Sequence, residues 1–336
     1  MKNKVKHLGA VLVMVLLVFG MTACSNPAGG NSDTGTTYTA TGTWTIRQAV
    51  NNEIWTSVTY GNGIFVAVAQ GGTNRVMTSP DGINWTPRNA AAANGWRSVT
   101  YGNGLFVAVA SNNSSETGMV MTSTNGESWE SHNAASARSW ESVTYGNGLF
   151  VAVANSGAGD RVMTSTDGKN WEEQNAGAST AWTDVIYANG KFVAVGNSGA
   201  VMTSSNGIAW ETQTSPVTSS LYSVTYGNGL FVAVSQSGTN RVITSPDGIN
   251  WTGRTAAEAT AWNSVTYANG LFVAVGQSGD NRVMTSTNGI NWTARSAAAA
   301  NLWYSVCYGN GLFVAVGSVQ GASSSTNRVM TAPGVR

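Results

Sequence analysis

The stretch WTSVTYGNGIFVAVA, from Trp55 to Ala69, returns almost unchanged as WRSVTYGNGLFVAVA, from Trp96 to Ala110, and five edited copies follow. The copies open at Trp55, Trp96, Trp140, Trp182, Leu221, Trp262 and Trp303, with spacings of 41, 44, 42, 39, 41 and 41 residues. A period of this length marks a repeat architecture, in which one unit cannot bury its faces alone and each must pack against its neighbours.

Each copy divides into four strand-like pieces. WxSVTY (strand a) and LFVAV (strand b) are separated by Asn-Gly; RVMTS (strand c) leads through Asp-Gly or Asn-Gly into a short piece headed by Trp (strand d). Asn-Gly and Asp-Gly between β-rich runs signal two-residue type I′ hairpins, because both central residues need positive φ. Two such turns per copy are therefore expected. LFVAV is apolar without alternation, so both faces of its sheet should be covered, and its length and β-branched content argue against a helix. Four antiparallel strands in about 40 residues, buried on both faces, describe a blade of a β-propeller. The fold expected is all-β, with seven four-stranded blades.

The ends of the chain complete one another. The seventh copy stops at NRVMTAPGVR without its DGxxW piece, and GTWTIRQA (42–49) matches INWTPRNA (83–90). The segment around Trp44 is thus expected as the outermost strand of the blade begun at Trp303, closing the ring and removing its open edges. Strand a is then innermost. The 13 tryptophans divide without remainder between repeat openings and the heads of strand d, and each buries enough area to read as scaffold.

The piece TSPDGINW (Thr78 to Trp85) has relatives TSTNGESW, TSTDGKNW, TSSNGIAW, TSPDGINW and TSTNGINW, starting at Thr122, Thr164, Thr203, Thr244 and Thr285. These resemble the Asp-box, or BNR, repeat of sialidase-like propellers, although three of the six carry Asn for Asp and Gly follows the acidic position directly. In that family the box is a structural turn, so the resemblance implies fold and not activity.

Residues 1–23 carry Lys2, Lys4 and Lys6 followed by an apolar run from Leu8 to Phe19, and MTAC ends at Cys24. This is the pattern of an export signal, and its ending resembles that of a bacterial lipoprotein, in which Cys24 would be lipidated; an ordinary secretory signal is the alternative. Residues 24–37 read as a flexible tether and 38–336 as the propeller. The expected location is the bacterial cell envelope, on its outer-membrane, periplasmic or surface side, with the lipid anchor as the only membrane contact. Without those three lysines, 14 of the 17 basic residues remain against 16 acidic ones. That balance gives no footprint for nucleic acid.

No catalytic constellation is expected. Arg75, Arg161, Arg241, Arg282 and Arg328 share one repeated position, and Arg47, Arg88, Arg254 and Arg295 share another. Repetition spreads these groups around the ring, and does the same with the seven repeated tyrosines, Tyr60, Tyr101, Tyr145, Tyr187, Tyr226, Tyr267 and Tyr308. Glu172 and Glu173, as strand neighbours, point to opposite faces. His132 takes a strand d position and reads as a solvated edge residue; Cys307 reads as a small core residue. Asp160 and Asp280 are single carboxylates in b–c loops and make weak calcium candidates. No cofactor and no metal site are expected, and the protein is expected to be a monomer.

The copies differ from one another at one end. The b–c loops vary from NSGA (Asn197 to Ala200) to SVQGASSSTN (Ser318 to Asn327), whereas the turns at the other end barely change. After the opening aromatic come Thr56, Arg97, Glu141, Thr183, Tyr222, Asn263 and Tyr304, and Asp184 replaces Ser one step further in. These eight form the candidate ligand-binding set, ringing the mouth of the central channel; mere solvent tolerance would produce the same variation. Loops on a rigid scaffold are a usual place for binding. The expected function is non-enzymatic binding through the loop-rich face. The partner would be a glycan, held at several weak sites by repeated aromatics, or an envelope or surface protein held by Arg97 and Glu141. Sialidase-type hydrolysis is the remaining alternative.

Overall fold

The computed structural model describes residues 43–111, 117–157, 161–321 and 324–334. The expected export signal, Cys24, the whole of the expected tether and Asp160 lie outside the described residues. The chain forms seven antiparallel four-stranded sheets. Blades 1 to 7 open with inner strands Trp55–Gly61, Gly95–Gly102, Trp140–Gly146, Trp182–Ala188, Leu221–Gly227, Trp262–Ala268 and Leu302–Gly309. Inner strands of successive blades touch all round the ring, blade 7 meeting blade 1, which places strand a against the central channel as expected.

Closure also follows the expectation. The strand Thr45–Arg47 pairs with Val329–Pro333 in blade 7, Thr45 opposite Thr331 and Arg47 opposite Val329. Arg47 Nε donates to Thr331 Oγ1 at 3.1 Å, as Arg88 Nε does to Thr78 Oγ1 in blade 1. Equivalent bonds run from Gln174, Gln213, Arg254 and Arg295 to their strand c threonines. His132 fills the same role: its Nε2 lies 2.8 Å from Thr122 Oγ1 and the ring is half-buried, so it is less solvated than its edge position implied.

The repeated VAVA of strand b has a packing reason. In blade 3, Val151 and Val153 turn toward blade 4 and join Trp182, Val185 and Phe192, whereas Phe150, Ala152 and Ala154 turn back toward Val107 and Val109 of blade 2. Trp140 lies opposite Ala154 in the register and occupies the same cluster. Small alanines on one face leave room for the tryptophan, so blades interdigitate large against small. All six opening tryptophans and Leu221 have no exposed surface.

The two turn types differ from the expectation in one respect. Between strands a and b, Asn62 (φ 48°) and Gly63 (φ 80°) form the two-residue type I′ turn, with Gly61 paired to Ile64. Between strands c and d the expected type I′ turn is absent. Thr78 pairs with Thr86, leaving a longer loop in which only Gly82 has positive φ (72°). The cause is side-chain chemistry: Asp81 Oδ1 accepts the amides of Ile83 (2.9 Å) and Asn84 (2.8 Å), and Ser79 Oγ accepts that of Gly82 (2.8 Å). An Asx-type turn satisfies the backbone locally and keeps the acidic residue at negative φ. Trp85 Nε1 donates to Gly82 O at 3.2 Å and pins the start of strand d.

Candidate functional site

Every inner strand carries a β-bulge one residue after its opening side chain. In blade 1, Trp55 pairs with Ala69 and Ser57 with Val68, leaving Thr56 unpaired between them. The same shift places Arg97, Glu141, Thr183, Tyr222, Asn263 and Tyr304 at bulges. A bulge re-aims side chains locally without disturbing the rest of the sheet. The opening side chain can thus point into the core while its successor and the following serine face the channel. All eight residues of the candidate set line one open cavity of about 480 Å³ at the channel mouth.

The bulge residues sort by length. Thr56 Oγ1 donates to Trp96 O (2.8 Å), Thr183 Oγ1 to Leu221 O (2.6 Å) and Asn263 Nδ2 to Trp303 O (2.8 Å), each bond reaching the next blade. Arg97 and Glu141 meet each other, Nε to Oε1 at 3.7 Å. Arg97 Nη1 also donates to Gln70 Oε1 (3.3 Å), and Glu141 Oε1 accepts from Asn155 Nδ2 (2.8 Å). Burial pushes the Glu141 carboxyl upward while Arg97 pulls it down. Tyr304 Oη accepts a long bond, 3.4 Å, from Ser318 Oγ. Tyr222 is half-buried on the same wall.

A second ring escaped the sequence reading. Gln70, Asn155, Asn197, Gln236 and Gln277, each directly after strand b, line the same cavity. The signal was present: the residue after VAVA, VAVG or VAVS is polar in all seven copies, with Ser111 and Ser318 in the other two. It was hidden because strand a and strand b positions are over ten residues apart and meet only through the hairpin. Gln236 Nε2 donates to Asn263 Oδ1 at 2.6 Å, joining the rings.

One layer deeper, hydrogen bonds run from blade to blade. The amides of Val58, Val99, Val143, Val185, Val265 and Val306 donate to the hydroxyls of Ser305, Ser57, Ser98, Ser142, Ser223 and Ser264 at 3.2–3.3 Å. At the remaining junction Val224 N donates to Asp184 Oδ2 at 2.9 Å. The circle therefore closes through six serines and one aspartate. Asp184 Oδ1 also accepts from Ser142 Oγ (2.7 Å) and the Val185 amide (2.9 Å). Burial raises the Asp184 carboxyl to about 6, against the pull of the Val224 amide, Ser142, Ser223 and the Val185 amide.

The remaining candidates are structural. Arg75 Nη1 donates to Asn94 O, Arg241 Nη1 to Thr260 O, Arg282 Nη1 to Asn301 O and Arg328 Nη1 to Glu53 O. Each clamps its blade to the segment before the next inner strand. Glu173 pairs with Arg138 at 2.8 Å. Among the described residues, no three His, Cys, Asp or Glu side chains are grouped so as to hold a metal.

Comparison with solved structures gives propellers. A catalytically inactive virginiamycin B lyase from Staphylococcus aureus, with quinupristin, is 10% identical, aligning over 86% of this chain and 98% of its own with a TM-score of 0.74. YCF48 from Cyanidioschyzon merolae is 12% identical over 87% and 98%, with a TM-score of 0.64. YCF48 bound to D1 peptide is 16% identical over 87% and 97%, also at 0.64. At such identities the likeness is one of fold. No curated protein matches the sequence. Residues 131–257, from the last strand of blade 2 to the end of blade 5, match the model of the DUF6242 beta propeller domain.

Proposed function

We propose that this is a non-enzymatic binding propeller, exported and held at the cell envelope through Cys24, that takes part of a glycan into the mouth of its central channel. The observation that carries this reading is the double ring: bulge residues and carboxamides from neighbouring strands line one open cavity. Carboxamides offer a donor and an acceptor side by side, which suits vicinal hydroxyls. Tyr222 and Tyr304 add flat apolar faces with a polar tip. The site is a single one. The opening tryptophans are sealed in the core, whereas the repeated tyrosines and most strand d tryptophans are half-buried, so the channel mouth is taken in preference to several weak sites at the repeated aromatics.

A protein partner is the second reading, because YCF48, a propeller of similar fold, is seen with a peptide. The arrangement of Arg97 and Glu141 speaks against it at the residues first assigned to it: each already has the other, and an amide, as partner. Hydrolysis is disfavoured on similar grounds, since Glu141 and Asp184 are both engaged in hydrogen bonds within the wall.

The test is binding of the purified full chain to an array of glycans and envelope polysaccharides. Binding should fall by about tenfold or more, roughly 1.4 kcal/mol, in Tyr222→Ala and in Asn263→Ala. A blank array with folded protein, or binding indifferent to both substitutions, overturns the glycan reading.

A further inference from the structure

Blade 4 departs from the seven-fold pattern at one position. Six times, a serine hydroxyl accepts the valine amide of the next blade; once, a carboxylate does so. Serine performs the structural task without charge, so the ring itself has no need of Asp184. Moreover, a carboxylate surrounded by protein is costly, and the partners of Asp184 are all neutral: hydroxyls of Ser142 and Ser223 and amides of Val185 and Val224. No basic side chain is among them.

Asp184 nevertheless faces the channel: its carboxylate is surrounded by its hydrogen-bond donors, but the residue keeps some exposed surface and lines the channel cavity. The other acidic group of the wall, Glu141, is offset by Arg97. The cavity wall is therefore left with one uncompensated acidic group, set below the amide ring. On the adjoining inner strand Tyr222 lies two residues before Val224, whose amide Asp184 accepts. An acid beside an aromatic wall in a partly desolvated cavity is chemistry suited to a cation, since the ring face and the carboxylate attract it together.

Resting on the reading of the channel mouth as a glycan site, we propose that the glycan is recognised through a free amine: an amino sugar whose ammonium group sits against Asp184, beside Tyr222, while its hydroxyls meet the carboxamides above. The neutral N-acetyl form lacks the charge and adds bulk where the ammonium would sit. It is the competitor that the site discriminates against.

The experiment is calorimetric titration of the purified full chain at pH 7 with three probes: glucosamine oligomers, N-acetylglucosamine oligomers of equal length, and Nα-acetyl-lysine amide. Glucosamine oligomers should bind about tenfold or more tighter than the N-acetyl oligomers. Asp184→Ser, which copies the other six blades and retains the hydrogen-bond ring, should abolish that preference while the protein stays folded by thermal melting. Asp184→Asn should do the same. Equal binding of the two sugars overturns the amine inference and leaves the glycan reading standing. Binding of the lysine amide as tight as that of the glucosamine oligomers, lost in Asp184→Ser, keeps the amine and overturns the sugar as its source. Binding of none of the three overturns the inference, and the array result then decides the glycan reading separately.

Discussion

The two ends of the inner strands obey opposite rules. At the end carrying the a–b and c–d turns, the hydrogen bonds that shape the c–d loop stay within a few residues: Asp81 with Ile83 and Asn84, Ser79 with Gly82, and the same set again at Asp167 and Asp247. At the channel mouth, the bonds that matter leap about 40 residues to the next blade. A turn that satisfies itself locally can be copied unchanged into each blade. A ring of contacts between blades tolerates individual residues, because each bulge side chain needs to suit only its own stretch of channel. Repetition builds the scaffold, and individuality collects where the copies face a common space.

The sharpest way to break the scaffold side of that contrast is Trp140→Ala. The side chain is fully buried among residues of blades 2 and 3, and its truncation should cost about 3–5 kcal/mol. Trp140→Leu should cost much less, because blade 5 already closes over Leu221. Denaturant unfolding of both variants checks the pair; equal losses would show that the interdigitation with alanine is not what holds the blades.

Asp184→Ser tests the individual side through stability as well as binding. The folded carboxyl is raised to about 6 from 3.8, so the folded state holds the proton more tightly than the unfolded chain. Its contribution to stability is full below about pH 4 and is lost as pH rises through about 6. Asp184→Ser should therefore be more stable than the parent at pH 7 by about 1–3 kcal/mol, taking about 1.4 kcal/mol per pKa unit, and should lack that pH slope. Melting curves between pH 4 and 8 measure both quantities. A less stable variant would mean that the charge serves the ring and not the channel.

The smallest effect belongs to the local turn. Asp81 sits at about 2: its modest burial, which raises it, is outweighed by bonds from the Asn84 and Ile83 amides and from Asn84 and Ser79. Asp81→Ala should cost about 1 kcal/mol, the usual worth of such a side-chain-to-backbone bond. Asp81→Asn should cost only a fraction of that, since Asn125, Asn206 and Asn288 hold the identical turn in blades 2, 4 and 6. Chemical denaturation resolves the two; a large loss on Asp81→Asn would show that the turn depends on the charge.

How far the sequence reached can be followed residue by residue. The spacing of Trp55, Trp96 and their successors determined the blade count, and the missing strand after Ala332 together with the match around Trp44 determined how the ring closes. Thr56, Arg97, Glu141, Thr183, Tyr222, Asn263 and Tyr304 were singled out because they differ among near-identical neighbours, and the fold brings all seven to one cavity with Asp184. These features were legible because identical copies must adopt identical local structure, so period and departures from it carry the information. The tertiary structure alone decided the rest. It showed that each of the seven is a bulge residue, that Gln70, Asn155, Asn197, Gln236 and Gln277 join them, that the c–d turn is held by side chains in place of a type I′ hairpin, and that Asp184 stands in for serine in a circle of hydrogen bonds. Those facts depend on contacts between strands and between blades, where residues distant in the chain share one small volume, and no local pattern in the sequence encodes which atoms then meet.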